Sequence, residues 1–124
     1  MEIPRLDIDQ RIGDSFSYFF KFRLTDGTLR SFTGSTAVFH GQSGATTFHF
    51  ESGTDAEVTI TDVPEEPGGG VDCGILVTIP YTLTETWTDD QRFFYELKEW
   101  IAGDRYTLID GHITATLGVV DGGD

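Results

Sequence analysis

From Phe16 to Leu24 the chain reads FSYFFKFRL, and its apolar positions recur at every second residue. Phe16, Tyr18, Phe20, Phe22 and Leu24 alternate with Ser17, Phe19, Lys21 and Arg23. A period of two suits a pleated strand, whose side chains point to opposite faces in turn, and no helix accommodates it. Aromatic residues also favour the half-buried surface of a sheet. Thr25-Asp26-Gly27-Thr28 then supplies a turn, with glycine where a positive φ is tolerated.

Shorter strands follow at close intervals. Thr36–His40 ends at Gly41-Gln42-Ser43-Gly44, and Thr46–Glu51 puts Phe48 and Phe50 on one face and His49 on the other. After Ser52-Gly53-Thr54-Asp55, Glu57–Asp62 turns Val58 and Ile60 inward, and Gly74–Tyr81 does the same with Ile75, Val77 and Ile79. Thr82–Asp90 has room for one helical turn, and Ile113–Val119 reads as the last strand.

QRFFYELKEWIAGDRYTLIDGHITAT, residues 91–116, fits two periods. Phe93, Leu97, Trp100 and Ile101 make a helical stripe, whereas Phe93, Tyr95 and Leu97 alternate as a strand. A helix would crowd β-favouring Phe93, Phe94 and Tyr95 into its first turn, with only Asp90 as a cap. The hairpin is therefore expected: Arg92–Ile101 against Tyr106–Ile109, closed at Ala102-Gly103-Asp104. About seven strands with turns at short spacing predict an all-β antiparallel sandwich rather than βαβ units.

A chain of 124 residues has the size of one domain. Residues 14–120 form that domain, 1–13 an extended N-terminal arm, and 121–124 a polar end. VPEEPGGGVD at 63–72 carries two prolines and three consecutive glycines, and reads as a mobile surface loop.

Twenty-one Asp and Glu against eight Lys and Arg give a net charge of −13. Such a surface repels phosphate backbones, so nucleic acid is not an expected partner. No apolar run has the length of a membrane span, and the start lacks an apolar signal region, so neither a membrane nor secretion is expected. A single cysteine, Cys73, permits no internal disulfide and no cysteine-based zinc site.

Chemistry-bearing constellations are sparse. His40, His49 and His112 lie opposite the main apolar set of their strands, as surface histidines do, and nothing in their spacing brings them together. Asp89 and Asp90 are weak candidates for Ca²⁺, which wants six to eight oxygens. Ser35 and Ser43 lie outside any Gly-x-Ser-x-Gly elbow, and Gly68-Gly69-Gly70 lacks a phosphate-loop lysine. No catalytic residue, metal or cofactor is predicted, and the chain does not read as an enzyme. Phe19, Trp87 and Trp100 are the aromatic residues expected to face outward, and Pro4, Leu6 and Ile8 the arm residues expected to dock on a neighbour.

The order of these features resembles the Ig-like β-sandwich proteins of tailed-bacteriophage virions, among them the N-terminal domain of the lactococcal phage upper baseplate protein. Gly13-Asp14-Ser15-Phe16 leads the aromatic strand, Asp26-Gly27-Thr28 makes the turn, and Phe32-Thr33-Gly34-Ser35-Thr36-Ala37 steps into the next strand. Later counterparts are Gly74-Ile75-Leu76-Val77, Thr84-Glu85-Thr86-Trp87, Phe94-Tyr95-Glu96-Leu97 and Gly111-His112-Ile113-Thr114. The likeness covers about residues 12–119; a longer 63–72 insertion and Phe32 in place of leucine depart from it.

The resemblance implies an Ig-like fold and a structural role in the virion, assembled in the host cytoplasm. The chain would be an adaptor in the neck, tail tip, baseplate or fibre attachment, with other virion proteins as partners and a homo-oligomer or ring as its state. A fibre would then be a separate protein. The alternatives are a carbohydrate-binding module using Trp87 and Trp100, or a capsid decoration protein.

Overall fold

In the structure, a computed structural model, residues 3–62, 66 and 69–117 are described. Among these residues, eight strands and one helical turn follow in order: β1 Ile8–Arg11, β2 Phe16–Phe20, β3 Thr36–Ser43, β4 Thr46–Glu51, β5 Val58–Thr61, β6 Gly74–Ile79, α1 Tyr81–Thr84, β7 Arg92–Ile101 and β8 Asp104–Thr116. They build two sheets, a five-stranded one ordered β1-β8-β7-β3-β4 and a three-stranded one ordered β2-β6-β5. Apart from β1, which runs parallel to β8, neighbouring strands are antiparallel. Strands β8-β7-β3-β4 take the places of G-F-C-C′, and β2-β6-β5 those of B-E-D, in an immunoglobulin sandwich. The expected all-β Ig-like sandwich is the observed fold.

Alternation fills the space between the sheets. Phe16, Phe20, Val58, Ile75, Val77 and Ile79 face Phe39, Phe48, Phe93, Tyr95, Leu97 and Ile113, all buried in one cluster. Phe39 is its hub, with ring centroids 5.3 Å from Tyr95, 5.6 Å from Phe48 and 6.1 Å from Phe16 across the sheets. Burying each such side chain is worth about 1.5–3 kcal/mol. Antibody domains join their sheets through a disulfide at this level; here packed rings hold them, and Cys73 lies just before β6, buried beside Leu29.

The contested stretch is a hairpin. Arg92 to Ile101 pair with Thr114 down to Asp104, with an irregularity between Leu97 and Lys98. Ala102 and Gly103 have φ of 52° and 85°, a two-residue turn with both central residues left-handed, as the right-handed twist of a hairpin prefers. Asp90, the one cap a helix had, is itself left-handed with φ of 65°.

Four expectations need correction. The strand begun at Thr36 does not end at His40, because Gly41, Gln42 and Ser43 still pair with Phe48, Thr47 and Thr46, which leaves Gly44-Ala45 as the turn. The aromatic strand stops at Phe20, because its partner Ile75 lies one residue from the start of β6. Beyond it the chain pairs with itself: Leu24 donates to Thr28, and Arg30 to Phe22. Tyr106–Ile109 and Ile113–Val119 are not two strands, since β8 runs unbroken to Thr116; residues 118–119 lie outside the described set.

The N-terminal arm is the fourth. Ile8 to Arg11 pair with Ile113 to Thr116, and Leu6 and Ile8 pack on the main core. Leu6 N–H donates to Asp110, and Asp110 N–H donates to Pro4. This segment docks on its own domain, so the domain takes in part of residues 1–13. The loop 63–72 falls largely outside the described residues; within it, Glu66 pairs with Lys21 and Arg23, which hold its carboxyl below the ordinary range.

Candidate interaction surface

Strand β7 carries Phe93, Tyr95 and Leu97 inward, and the next residue of that parity is Glu99. A carboxylate in core register must find partners or lose its charge. Glu99 is 2% exposed; Arg30 reaches its two oxygens at 2.6 and 2.9 Å, and Ser35 donates to it at 2.6 Å. The Arg30 guanidinium also stands 4.6 Å from the centroid of Phe32. Both Arg30 and Ser35 come from the long β2–β3 connection, so this one acid fastens that connection to the end of β7.

The turn at 102–103 shares this end of the sandwich, because Trp100 pairs with Thr36 at the start of β3. Loop 62–73 is tied in as well: Phe32 N–H donates to Asp72 at 2.7 Å. Beside the Glu99 node opens a depression of about 670 Å³ lined by Ile3, Pro4, Phe22, Tyr106, Thr107 and Leu108, with Arg30, Glu99 and Arg105 completing its wall. Ile3 and Tyr106 are half-exposed at 47% and 52%. Arg30 is taken up by Glu99, which leaves the Arg105 guanidinium beside the apolar floor, and that pairing suits a side chain or small ligand that joins an apolar body to a carboxylate.

The aromatic candidates are placed otherwise than expected. Trp87 is buried at 5%, its ring 4.6 Å from Phe93 and 6.2 Å from Phe48, so it belongs to the core. Phe19 is half-buried over Gly74, where even a Cβ would come within 2.0 Å of its ring, and it packs on Leu29 and Cys73. Trp100 is half-buried under the Arg105 guanidinium, 4.3 Å from its centroid, and its indole N–H is buried without a partner among the described residues. Of the arm residues, Pro4 lines the depression, while Leu6 and Ile8 face the core.

Asp89 and Asp90 do not converge on a cation. The Asp89 carboxylate accepts the Leu117 N–H at 3.0 Å, and Asp90 N–H donates to Ala115, so this corner clamps the end of β8. His112 stands on the outer face beside Arg5 and Asp7, and its own N–H donates to the Asp7 carboxylate at 3.0 Å. That hydrogen bond, with further help from Arg5, holds the Asp7 carboxyl below its ordinary value. His40 and His49, in contrast, meet as a cross-strand pair. Sequence reasoning passed over Arg30, Ser35 and Glu99; the available signal was a glutamate two residues past Leu97, breaking the inward apolar series.

No protein-family model matches the chain, and no curated protein matches it. A chain from a structural and photo-crosslinking study of the multimeric cell-adhesive interactions of VGSC beta subunits is similar in fold, at a TM-score of 0.47 and 10% identity. The match covers 94% of this chain and 98% of that one. The strand order of the two sheets is by itself the immunoglobulin-like one.

Proposed function

We propose that this chain is a non-catalytic assembly adaptor of a tailed-phage particle, as its sequence resemblance implies, and that it grips a neighbouring virion protein through the depression beside Glu99. The observation that carries the reading is the composition of that hollow: exposed Ile3 and Tyr106 with Leu108 beside Arg30 and Arg105. Anchoring residues in protein interfaces fill such apolar sockets, and the charged wall selects what enters. An acidic neighbour segment with one apolar anchor fits it. The rigid Glu99–Arg30–Ser35 node presets the socket, so little ordering is left to occur on binding.

Incorporation into purified particles tests the reading. Quantitative mass spectrometry should find this chain at a fixed ratio to the major capsid protein. Low copy number would place it at the neck, tail or baseplate, and high copy number on the capsid as a decoration protein. Tyr106→Ala and Leu108→Ala should lower incorporation while the free protein stays folded. Particles without the chain would overturn the proposal. The carbohydrate-binding alternative gains no support from the aromatic residues, since Trp87 is in the core and Arg105 covers Trp100.

A further inference from the structure

Neither the fold nor the depression uses the two histidines at the β4 edge of the five-stranded sheet. His40 of β3 and His49 of β4 are register partners. Ser52 N–H donates to Ala37, so the bonded rungs of this ladder are Ala37/Ser52, Phe39/Phe50 and Gly41/Phe48. The His40/His49 rung between them is of the non-bonded kind, where facing side chains come closest. Their Nδ1 atoms are 3.4 Å apart, with ring centroids at 5.5 Å and a near-perpendicular arrangement.

That separation is within reach of an N–H···N hydrogen bond, and it is also the one a metal asks for. Two nitrogens each about 2.0–2.1 Å from a tetrahedral zinc ion stand roughly 3.3 Å from each other. The remaining ring nitrogen of His49, Nε2, lies 3.1 Å from the Glu51 carboxylate. A carboxylate there keeps the proton on Nε2 and leaves the Nδ1 lone pair directed at His40, the way metal-ligating histidines are oriented. His40 reaches the same form by moving its own proton from Nδ1 to Nε2, with no change of charge. Glu96, the register partner of His40 on β7, stands on the same face, paired with Lys98 at 3.5 Å.

We infer that His40 and His49 form a two-ligand site for a divalent cation of the zinc, copper or nickel type, with Glu51 as a positioning residue. Among the described residues no group of three or more His, Cys, Asp or Glu is placed to hold a metal. The pair therefore supplies two positions, and the others face solvent, since the His49 side chain is 47% exposed. Water fills them. Imidazole ligands favour these cations over calcium or magnesium. This inference is independent of the adaptor reading.

Calorimetric titration of Zn²⁺ into the full chain tests it, alongside nitrogen NMR of the imidazoles. Saturable binding is expected, lost in His40→Ala and in His49→Ala and retained in His112→Ala. Glu51→Gln should weaken it about tenfold or more and shift the His49 tautomer signal in the metal-free protein. These residues are on the outer face, so the variants should keep the wild-type circular dichroism. Absence of saturable binding, or binding unchanged by both histidine substitutions, would overturn the inference, the acidic surface alone then accounting for any heat.

Discussion

Tyr95, in the middle of β7, donates its phenolic hydrogen to the carbonyl of Leu6 at 2.7 Å, 89 positions earlier in the chain. Between β7 and the segment that holds Leu6 runs β8, and the residue at the crossing is Gly111, where an added Cβ would stand 2.0 Å from that same carbonyl. A core tyrosine and a missing side chain thus fix where the N-terminal segment lies. Burial holds the phenol above its ordinary range, so it remains a donor at any pH the protein meets.

Tyr95→Phe removes this bond and leaves the ring packing in place. A loss of about 1 kcal/mol is expected from one neutral hydrogen bond. Urea denaturation should record it, and hydrogen exchange should show the largest change at the Leu6 and Asp110 amides.

Gly111→Ala acts on the same contact by steric means. The backbone of Leu6 must move, costing about 1–3 kcal/mol as overpacking does. Limited proteolysis should then cut before residue 13 in the variant well before the wild-type protein is cut there. Equal resistance in both would mean that the segment accommodates the methyl group without undocking.

Acid should loosen the same segment. Asp7 accepts the His112 N–H and has a folded-state pKa below the ordinary 3.8, the value it recovers on unfolding. Its contribution is complete above the unfolded value, about pH 4, and is lost as the pH falls through the lower folded value. Amide exchange at His112, corrected for intrinsic rate, should lose protection in that window. Asp7→Asn should flatten the dependence.

Arg30→Met leaves Glu99 almost fully buried with Ser35 as its remaining partner. Breaking a buried pair from one side costs about 3–5 kcal/mol, less here because Arg30 is partly in solvent. The double variant Arg30→Met with Glu99→Leu should recover much of that loss, since no charge is then left in the core. A double-mutant cycle read by thermal denaturation measures the coupling.

Ala102 has a side chain in a conformation that favours glycine and asparagine. Ala102→Asn restores the Asn-Gly pair that this hairpin turn prefers, and should raise stability by about 0.5–1 kcal/mol. A lower denaturation midpoint would mean that Ala102 makes a contact worth more than the relieved strain.

Local pattern determined that the chain folds as short strands joined by turns. Alternation in Phe16–Phe20, Thr46–Glu51 and Phe93–Leu97 is a property of neighbouring residues and marks strands, although the partner decides where a strand ends, as β6 does for β2 at Phe20. The Ala102-Gly103 turn was legible for the same reason, because a hairpin closes within a few residues. Tertiary structure decided everything that depends on which strand lies beside which. Trp87 entered the core because Phe48 and Phe93 meet there, and residues 3–11 became an edge because Gly111 and Tyr95 leave room and a donor for Leu6. Arg30 meets Glu99 over 69 positions, and His40 faces His49 through the register of one turn. Such pairings are fixed by sheet order and register, which no spacing along the chain encodes.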